Sequence, residues 1–253
     1  MDDLLTRHDL GPVTRLTLSR PATYNALSLE MIEALIAALA RIDDDTRVVI
    51  LAAEGKAFCA GHDLRQMQAM APDQLAHLFD RCAQLMQMIP ALPQPVIAQV
   101  QGVATAAGCQ LVASCDMAVA AETARFGVNG VNIGLFCSTP MVALTRAIPH
   151  KAAFEMLVTG EFIDAARAQQ LGLINRIAAP EALTDTAMKM AATIASKLPA
   201  AIRLGKRAFH DQARLGLADA YATAGQAMCR NILLPDTAEG MAAFLEKRAP
   251  GWA

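Results

Sequence analysis

VQGVATAAGCQLVASCD, residues Val100–Asp116, is the stretch on which the chain turns. A short apolar run, Pro95 to Val100, leads into it, and small residues follow at Gly102, Ala104, Ala106, Ala107 and Gly108. Leu111 and Val112 then open a helical pattern that ends before Asp116. Small residues between a strand and a helix let a ligand approach the backbone closely. The helix presents free N–H groups and the positive end of its dipole at that point. Such a place suits a developing negative charge.

Outward from this stretch the pattern alternates. Val13 to Ser19 alternates with Leu16 and Leu18 on one face and reads as a strand, stopped by Arg20-Pro21. Ser28 is placed to cap a helix over Leu29 to Ile42. Arg47 to Ala53 (RVVILAA) reads as a buried strand. Pro72 to Ile89 carries an apolar stripe at helical spacing, read as core packing. Strands over Pro95–Val100 and Asp116–Ala121 follow. Strand–helix alternation of this kind implies parallel strands with crossovers, an α/β fold. Beyond Thr139 the chain reads mainly helical, interrupted by a strand at Leu173 to Ile177. The expected division is a core over residues 1–195 and a helical region over 196–253.

Bulk properties narrow the function. The hydrophobic fraction is 54%, built on Ala more than on aromatic residues, which favours close helix packing. A net charge of −2, with no basic run, argues against nucleic acid and anionic membrane as partners. No apolar stretch reaches the roughly 18 residues of a membrane span. MDDLLTRHDL at the start is acidic, lacks an apolar secretory core, and is not the Arg-rich, acid-poor start of a transit peptide. A cytoplasmic location is the expectation. Cys59, Cys82, Cys109, Cys115, Cys137 and Cys229 show neither a C-x-x-C pair nor Cys/His ligand spacing, so reduced thiols and no metal are expected.

G-x-S-x-G, the phosphate-binding loop and a G-x-G-x-x-G after a strand are all missing. Two loops remain, Lys56–Leu64 and Thr105–Gln110. Each follows a buried strand, which puts both at one carboxyl edge of a parallel sheet. Two N–H groups converging from such loops would make an oxyanion hole.

The chain resembles the crotonase, or enoyl-CoA hydratase/isomerase, superfamily. The likeness lies in Arg20–Leu27 (RPATYNAL), Ala57–Leu64 (AFCAGHDL), Val100–Asp116, Phe126-Gly127, Gly134-Leu135, the Leu157 to Glu161 segment, Ala165–Ala168, Leu171–Ile174 and Phe244–Arg248. GHDL, ATAAGCQLVASCD and GLFCSTP are closest to the subgroup of enoyl-CoA hydratase domain-containing proteins. The resemblance implies a ββα spiral, a C-terminal helical trimerisation region, and a homotrimer or dimer of trimers. It also implies the lyase or isomerase chemistry of fatty acid metabolism. No permanently bound cofactor is implied; a coenzyme A thioester is the substrate or ligand. Its carbonyl would sit between the backbone N–H groups of His62 and Ala107. Ala22, Thr23, Tyr24, Ala60, Asp63, Leu64, Ala104, Val131, Leu135 and Ser138 would line the substrate site.

Two departures from the family pattern matter. Its hydratases use a pair of glutamates to activate water and deliver a proton. In this sequence those positions are Gln110 and Gly130. A carboxamide can bond water but cannot take its proton, and glycine has no side chain. General acid–base groups contribute about 10²- to 10⁴-fold each, so hydration is expected to be weak or absent. Restoring both glutamates together is expected to raise any residual rate. The His62 imidazole would titrate in a useful range if it pointed into the site, but it reads first as a surface or packing group, and Ser138 reads as the cap of the helix after it. Cys137 and Asn132 are remote substitutes, and Glu122 and Glu161 would serve only if the fold turned them inward. The leading expectation is an enzyme that stabilises an enolate-like oxyanion on an acyl-CoA. The alternative is a non-catalytic acyl-CoA binder or oligomeric interaction protein. Isomerisation, decarboxylation or thioester hydrolysis ranks lower because no base is evident.

Overall fold

Three times in succession the chain runs strand, short strand, helix. The structure, a computed structural model, describes residues 4–252. A hairpin comes first, β1 (Leu5–Leu10) and β2 (Val13–Leu18), followed by α1 (Leu29–Ala40). The first turn is β3 (Val48–Ala53), β4 (Ala57–Cys59), α2 (Leu64–Ala69) and α3 (Pro72–Ala91). The second is β5 (Val96–Val100), β6 (Val103–Thr105) and α4 (Ala107–Ser114). The third is β7 (Met117–Ala121), β8 (Arg125–Gly127), a 3-10 turn at Asn129–Ile133, and α5 (Pro140–Ala147). Then come α6 (His150–Thr159), β9 (Ile163–Asp164), α7 (Ala165–Leu171), β10 (Arg176–Ala178), α8 (Leu183–Ala195), α9 (Pro199–Gln212), α10 (Leu217–Ile232) and α11 (Pro235–Leu245).

The long strands make a six-stranded sheet in the order β1-β2-β3-β5-β7-β10, parallel except for the β1–β2 hairpin. The short strands make a second sheet, β4-β6-β8-β9. Alternate residues of the large sheet feed two cores. Leu16, Leu18, Val49, Leu51, Ala98 and Val100 join α1, α3 and α4 on one side. Val13, Val48, Ile50, Ala52, Ile97 and Val119 pack on the other side with Leu183, Ala187, Met190 and Ala191 of α8. Burial on both faces explains why RVVILAA has no polar alternation. Between β5 and β6 the chain bends at Gly102, where a β-carbon would run into the Lys56 carbonyl oxygen. Only glycine permits so close a crossing.

Ser28 caps α1 as expected, accepting from the Met31 N–H at 3.3 Å. Other expectations need correction. The late strand lies at Arg176–Ala178 rather than Leu173 to Ile177; Leu173 and Ile174 are buried without forming a ladder. Ser138 is not the cap of α5: Thr139 occupies that place, and the Ser138 hydroxyl donates to the Phe136 carbonyl at 3.4 Å. The hairpin strand β1 is polar (LTRHDL), and the small-sheet strands have two or three residues each, too few to carry a period.

Helices α9, α10 and α11 each bury one residue, Lys206, Ala227 and Ala243 respectively. Lys206 pins α9 to the body. Its Nζ donates to the Ile89 and Gln94 carbonyls (2.9 and 2.8 Å) and pairs with Asp116 Oδ2 at 2.6 Å. Asp116 also accepts from the Val96 N–H at 2.7 Å and lies 3.1 Å from His210 Nε2. The Asp116 carboxylate therefore anchors the turn before β7.

Candidate functional site

β4 and β6 run parallel and side by side, with Ala57 opposite Val103 and Cys59 opposite Ala104. Their carboxyl ends therefore release two loops next to each other. The loops follow the short second strands, not the long strands read from sequence. Gly61 has φ +87°. A β-carbon there would lie 2.9 Å from Ala106 Cβ, 3.1 Å from the Thr105 oxygen and 3.2 Å from the Ala107 nitrogen. Among the described residues, the N–H groups of His62 and Ala107 have no acceptor. Ala107 is the first residue of α4, so the helix dipole adds to its N–H. Two free donors beside one another favour an oxygen that gains negative charge.

Ala106 carries the strain of this arrangement. Its φ of 49° and ψ of −121° lie in a region that a residue with a β-carbon rarely adopts. Its N–H donates to the Gly127 carbonyl at 2.9 Å, and its carbonyl accepts from the Gln110 N–H at 3.0 Å. The backbone is thus held at both ends.

The first loop is braced by the Arg20–Leu27 segment. Asn25, fully buried at φ 53°, donates from Nδ2 to the Glu54 and Ala57 carbonyls (2.8 and 2.9 Å) and accepts the Arg20 N–H at 2.9 Å. The Ala60 N–H donates to the Tyr24 carbonyl at 3.1 Å, and the Leu27 N–H to the Gly61 carbonyl at 2.7 Å. In the sequence Asn25 shows only as a polar residue between a proline turn and a helix start, too weak a signal to single it out. Ala22, Thr23 and Tyr24 are exposed beside this loop, and Leu64 is exposed beyond it. The Asp63 carboxylate accepts from the Arg65 and Gln66 N–H groups and so caps α2. Ala60 is half-buried, while Ala104 is fully buried in the small sheet.

Gln110 sits one turn into α4, 5% exposed, with its Oε1 buried and unbonded. Gly130 lies in the 3-10 turn after β8, which the Thr105 hydroxyl ties to the second loop by donating to Asn129 Oδ1 at 2.5 Å. No side chain fits at Gly130. A β-carbon there would overlap the Leu135 carbonyl oxygen and lie 2.9 Å from Cys137 Sγ. This contact stands against the expectation that glutamates restored at Gln110 and Gly130 together raise the residual rate. Val131 is half-buried, and Leu135 and Ser138 are exposed around the same turn. Asn132 donates to the Gly160 carbonyl at 3.3 Å, and Cys137 is buried. Glu122 and Glu161 are both exposed.

The His62 ring is packed, as read, but not fully satisfied. Its Nδ1 lies 3.2 Å from the Leu27 carbonyl oxygen, and Phe79 meets it at right angles with centroids 5.4 Å apart. Nε2 is buried with no partner among the described residues. Burial holds the imidazole pKa below its usual value, against a smaller opposing pull from the Leu27 carbonyl. Burial also pushes the Cys59, Cys82 and Cys109 thiols up to about 12, so none is a ready nucleophile. Among the described residues no group of three or more His, Cys, Asp or Glu is arranged to hold a metal ion.

Comparison with known proteins places this geometry. The enoyl-CoA hydratase/isomerase family matches residues 10–253. The mitochondrial enoyl-CoA hydratase domain-containing protein 3 of Rattus norvegicus is 45% identical over 251 residues, 98% of this chain and 83% of the relative. The Homo sapiens protein of the same name is 44% identical over 96% of this chain and 82% of the relative. A crystal structure of an enoyl-CoA hydratase from Mycobacterium smegmatis superposes with a TM-score of 0.97 at 52% identity, covering 99% of both chains. That of the human domain-containing protein 3 gives 0.96 at 43% identity, covering 99% of this chain and 100% of the other. The strand–strand–helix spiral is thus the crotonase fold of these neighbours. The cytoplasmic expectation is overturned, because the rat and human relatives are named mitochondrial. It rested on ten residues, and a targeting segment leaves no pattern in the folded domain that could be read instead. Matched in fold and sequence over nearly its whole length, the chain belongs to the enoyl-CoA hydratase/isomerase family and, within it, groups with the enoyl-CoA hydratase domain-containing proteins.

Proposed function

We propose that the protein binds an acyl-CoA thioester and holds its carbonyl oxygen between the N–H groups of His62 and Ala107, stabilising an enolate-like oxyanion. The observation that carries this reading is the pair of unbonded N–H groups on adjacent loops, one at a helix N-terminus. Removing one such donor typically costs about 10²- to 10³-fold in rate. The thioester would run past Ala22, Thr23 and Tyr24 on one side and Val131, Leu135 and Ser138 on the other, with Ala60, Asp63, Leu64 and Ala104 shaping the first loop. Hydration is weak or absent in this proposal. Gln110 offers no base, and the backbone around Gly130 leaves no space for one. Two measurements test it: calorimetric titration with crotonyl-CoA, and loss of the conjugated thioester absorbance. Binding with turnover far below that of an ordinary hydratase is the expected result. No binding of any acyl-CoA sinks the reading.

A non-catalytic acyl-CoA binder is the second reading, favoured by the same closed position at Gly130. It differs in giving no product and no proton exchange with any thioester. The helical region after residue 195 is proposed as an oligomer face for a trimer or dimer of trimers. In support, Phe209, Leu217, Tyr221, Leu233, Phe244 and Leu245 are 66%, 78%, 74%, 81%, 83% and 79% exposed. Apolar exposure on this scale marks a surface that another chain covers. A monomer by light scattering would remove that part.

A further inference from the structure

The first loop leaves the small sheet after Cys59 and enters α2 at Leu64, so His62 stands between two elements. Its N–H keeps one direction only if the backbone is fixed on both sides. On the near side the entry to α1 fixes it. The two segments meet in a parallel bridge at Leu27 and His62. The Leu27 N–H donates to the Gly61 carbonyl at 2.7 Å, and the Leu27 carbonyl lies 3.2 Å from His62 Nδ1.

The far side is α2, which is six residues long and buries none of them. Met67 packs half-buried against the core, while Leu64, Arg65, Gln68 and Ala69 are exposed. A helix this short does not hold its own shape. Asp63 caps it, but that contact stays within the segment. Gln66 supplies the polar tie to the body. Its Oε1 accepts from the Leu29 N–H at 2.9 Å, and its Nε2 donates to Glu30 Oε2 at 3.0 Å. The Leu29 N–H is one of the donors that a helix start leaves without a partner, and Gln66 satisfies it from another helix. Glu30 is a fixed partner. Its own N–H first, then the Ser28 hydroxyl and then Gln66 hold its carboxyl below the usual range, against an opposing effect of burial. Four contacts to Leu27–Glu30 thus bracket His62, two before it and two after.

We propose that Gln66 is a positioning residue for the thioester site: by fastening α2 to Leu29 and Glu30 it sets the direction of the His62 N–H. The inference rests on the oxyanion reading above. Gln66 acts through the backbone between residues 62 and 66 and does not touch the thioester. A carboxamide is what the position needs, an acceptor for the Leu29 N–H and a donor to Glu30 at once. Alanine loses both bonds. A carboxylate keeps the first and sets two negative charges against each other in place of the second.

The test uses the full chain and butyryl-CoA, a saturated thioester that cannot be hydrated. Calorimetry reads its affinity. Infrared difference spectra with an isotopically labelled carbonyl read the stretching frequency of the bound C=O, which falls as N–H groups polarise it. Wild type should bind with a lowered frequency. Gln66→Ala should bind about tenfold more weakly and lose most of the frequency shift. Its thermal midpoint should stay close to wild type, since one of the two bonds is exposed and the other half-buried. Gln66→Glu should fail in the same way, and Gln66→Glu/Glu30→Gln, which exchanges donor and acceptor, should recover both readouts. Recovery in that pair decides the matter even if Gln66→Ala folds poorly. Wild-type affinity and frequency in Gln66→Ala overturn the proposal. So does a loss of affinity with the frequency kept, or a double variant no better than Gln66→Glu. A wild-type protein that binds no thioester, or binds one without a frequency shift, instead overturns the oxyanion reading beneath it.

Discussion

A β-carbon on Gly61 would lie 3.2 Å from the Ala107 nitrogen, so the two loops of the proposed site touch backbone to backbone. Gly61→Ala would also put an L-residue at φ +87° and press on Ala106 Cβ at 2.9 Å. The two N–H groups should be forced apart. We expect any rate on an acyl-CoA thioester to fall by about 10²-fold or more, measured by the change in conjugated thioester absorbance with crotonyl-CoA. Unchanged turnover would show that the loops do not act together.

Ala106 is expected to be a site of stored strain. Ala106→Gly relieves a positive φ of 49°, a conformation costing of order 1–3 kcal/mol for a residue with a side chain. Part of that gain is lost to the extra freedom of glycine in the unfolded chain. Urea unfolding should show a net stabilisation of roughly 1 kcal/mol. A variant less stable than wild type would mean that the surrounding bonds, not the φ angle, dominate.

Glutamate at position 130 should fail where a sequence comparison would install it. Gly130→Glu drives a β-carbon into the Leu135 carbonyl oxygen and to 2.9 Å from Cys137 Sγ. Overpacking of this kind costs about 1–3 kcal/mol. The Gln110→Glu/Gly130→Glu protein should melt at a lower temperature and gain no hydration over Gln110→Glu alone. A gain beyond that single change would show that the turn moves to admit the side chain.

Lys206→Met should be among the most damaging changes far from the site. It leaves the half-buried Asp116 carboxylate without its 2.6 Å partner and frees the Ile89 and Gln94 carbonyls. Breaking a buried ion pair costs about 3–5 kcal/mol, or roughly 6–20 °C in Tm. The double variant with Asp116→Asn should be less damaged than the sum of the two single ones.

Stability below neutral pH carries the signature of His62. Its folded pKa is depressed, so the unfolded chain binds the proton more readily. The stability this contributes is present above the unfolded pKa of about 6.5 and is lost as pH falls through the folded value. Wild type should therefore lose more stability between neutral pH and pH 5 than His62→Gln does. Equal losses would show that the ring is solvated.

Long periodic segments were legible from residues alone, because burial writes its period directly into them. Leu29 to Ile42, the buried RVVILAA strand and the Pro72 helix each carry enough residues for this. The family likeness in GHDL, ATAAGCQLVASCD and the Phe126-Gly127 pair pointed to His62, Ala107, Gln110 and Gly130, but it could not measure the space around them. Strands β4, β6, β8 and β9 stayed hidden, because two or three residues cannot display alternation.

What the amino-acid sequence by itself determined is the α/β class and the family, since each is a matter of which residue stands at which spacing. Tertiary structure alone decided that the loops after β4 and β6 abut and that Gly130 has no room for a side chain. It alone also left His62 Nε2 buried and bare. Those are contacts between residues tens of positions apart, set by the register of the small sheet and the packing of α3 on α4, and no local pattern encodes them.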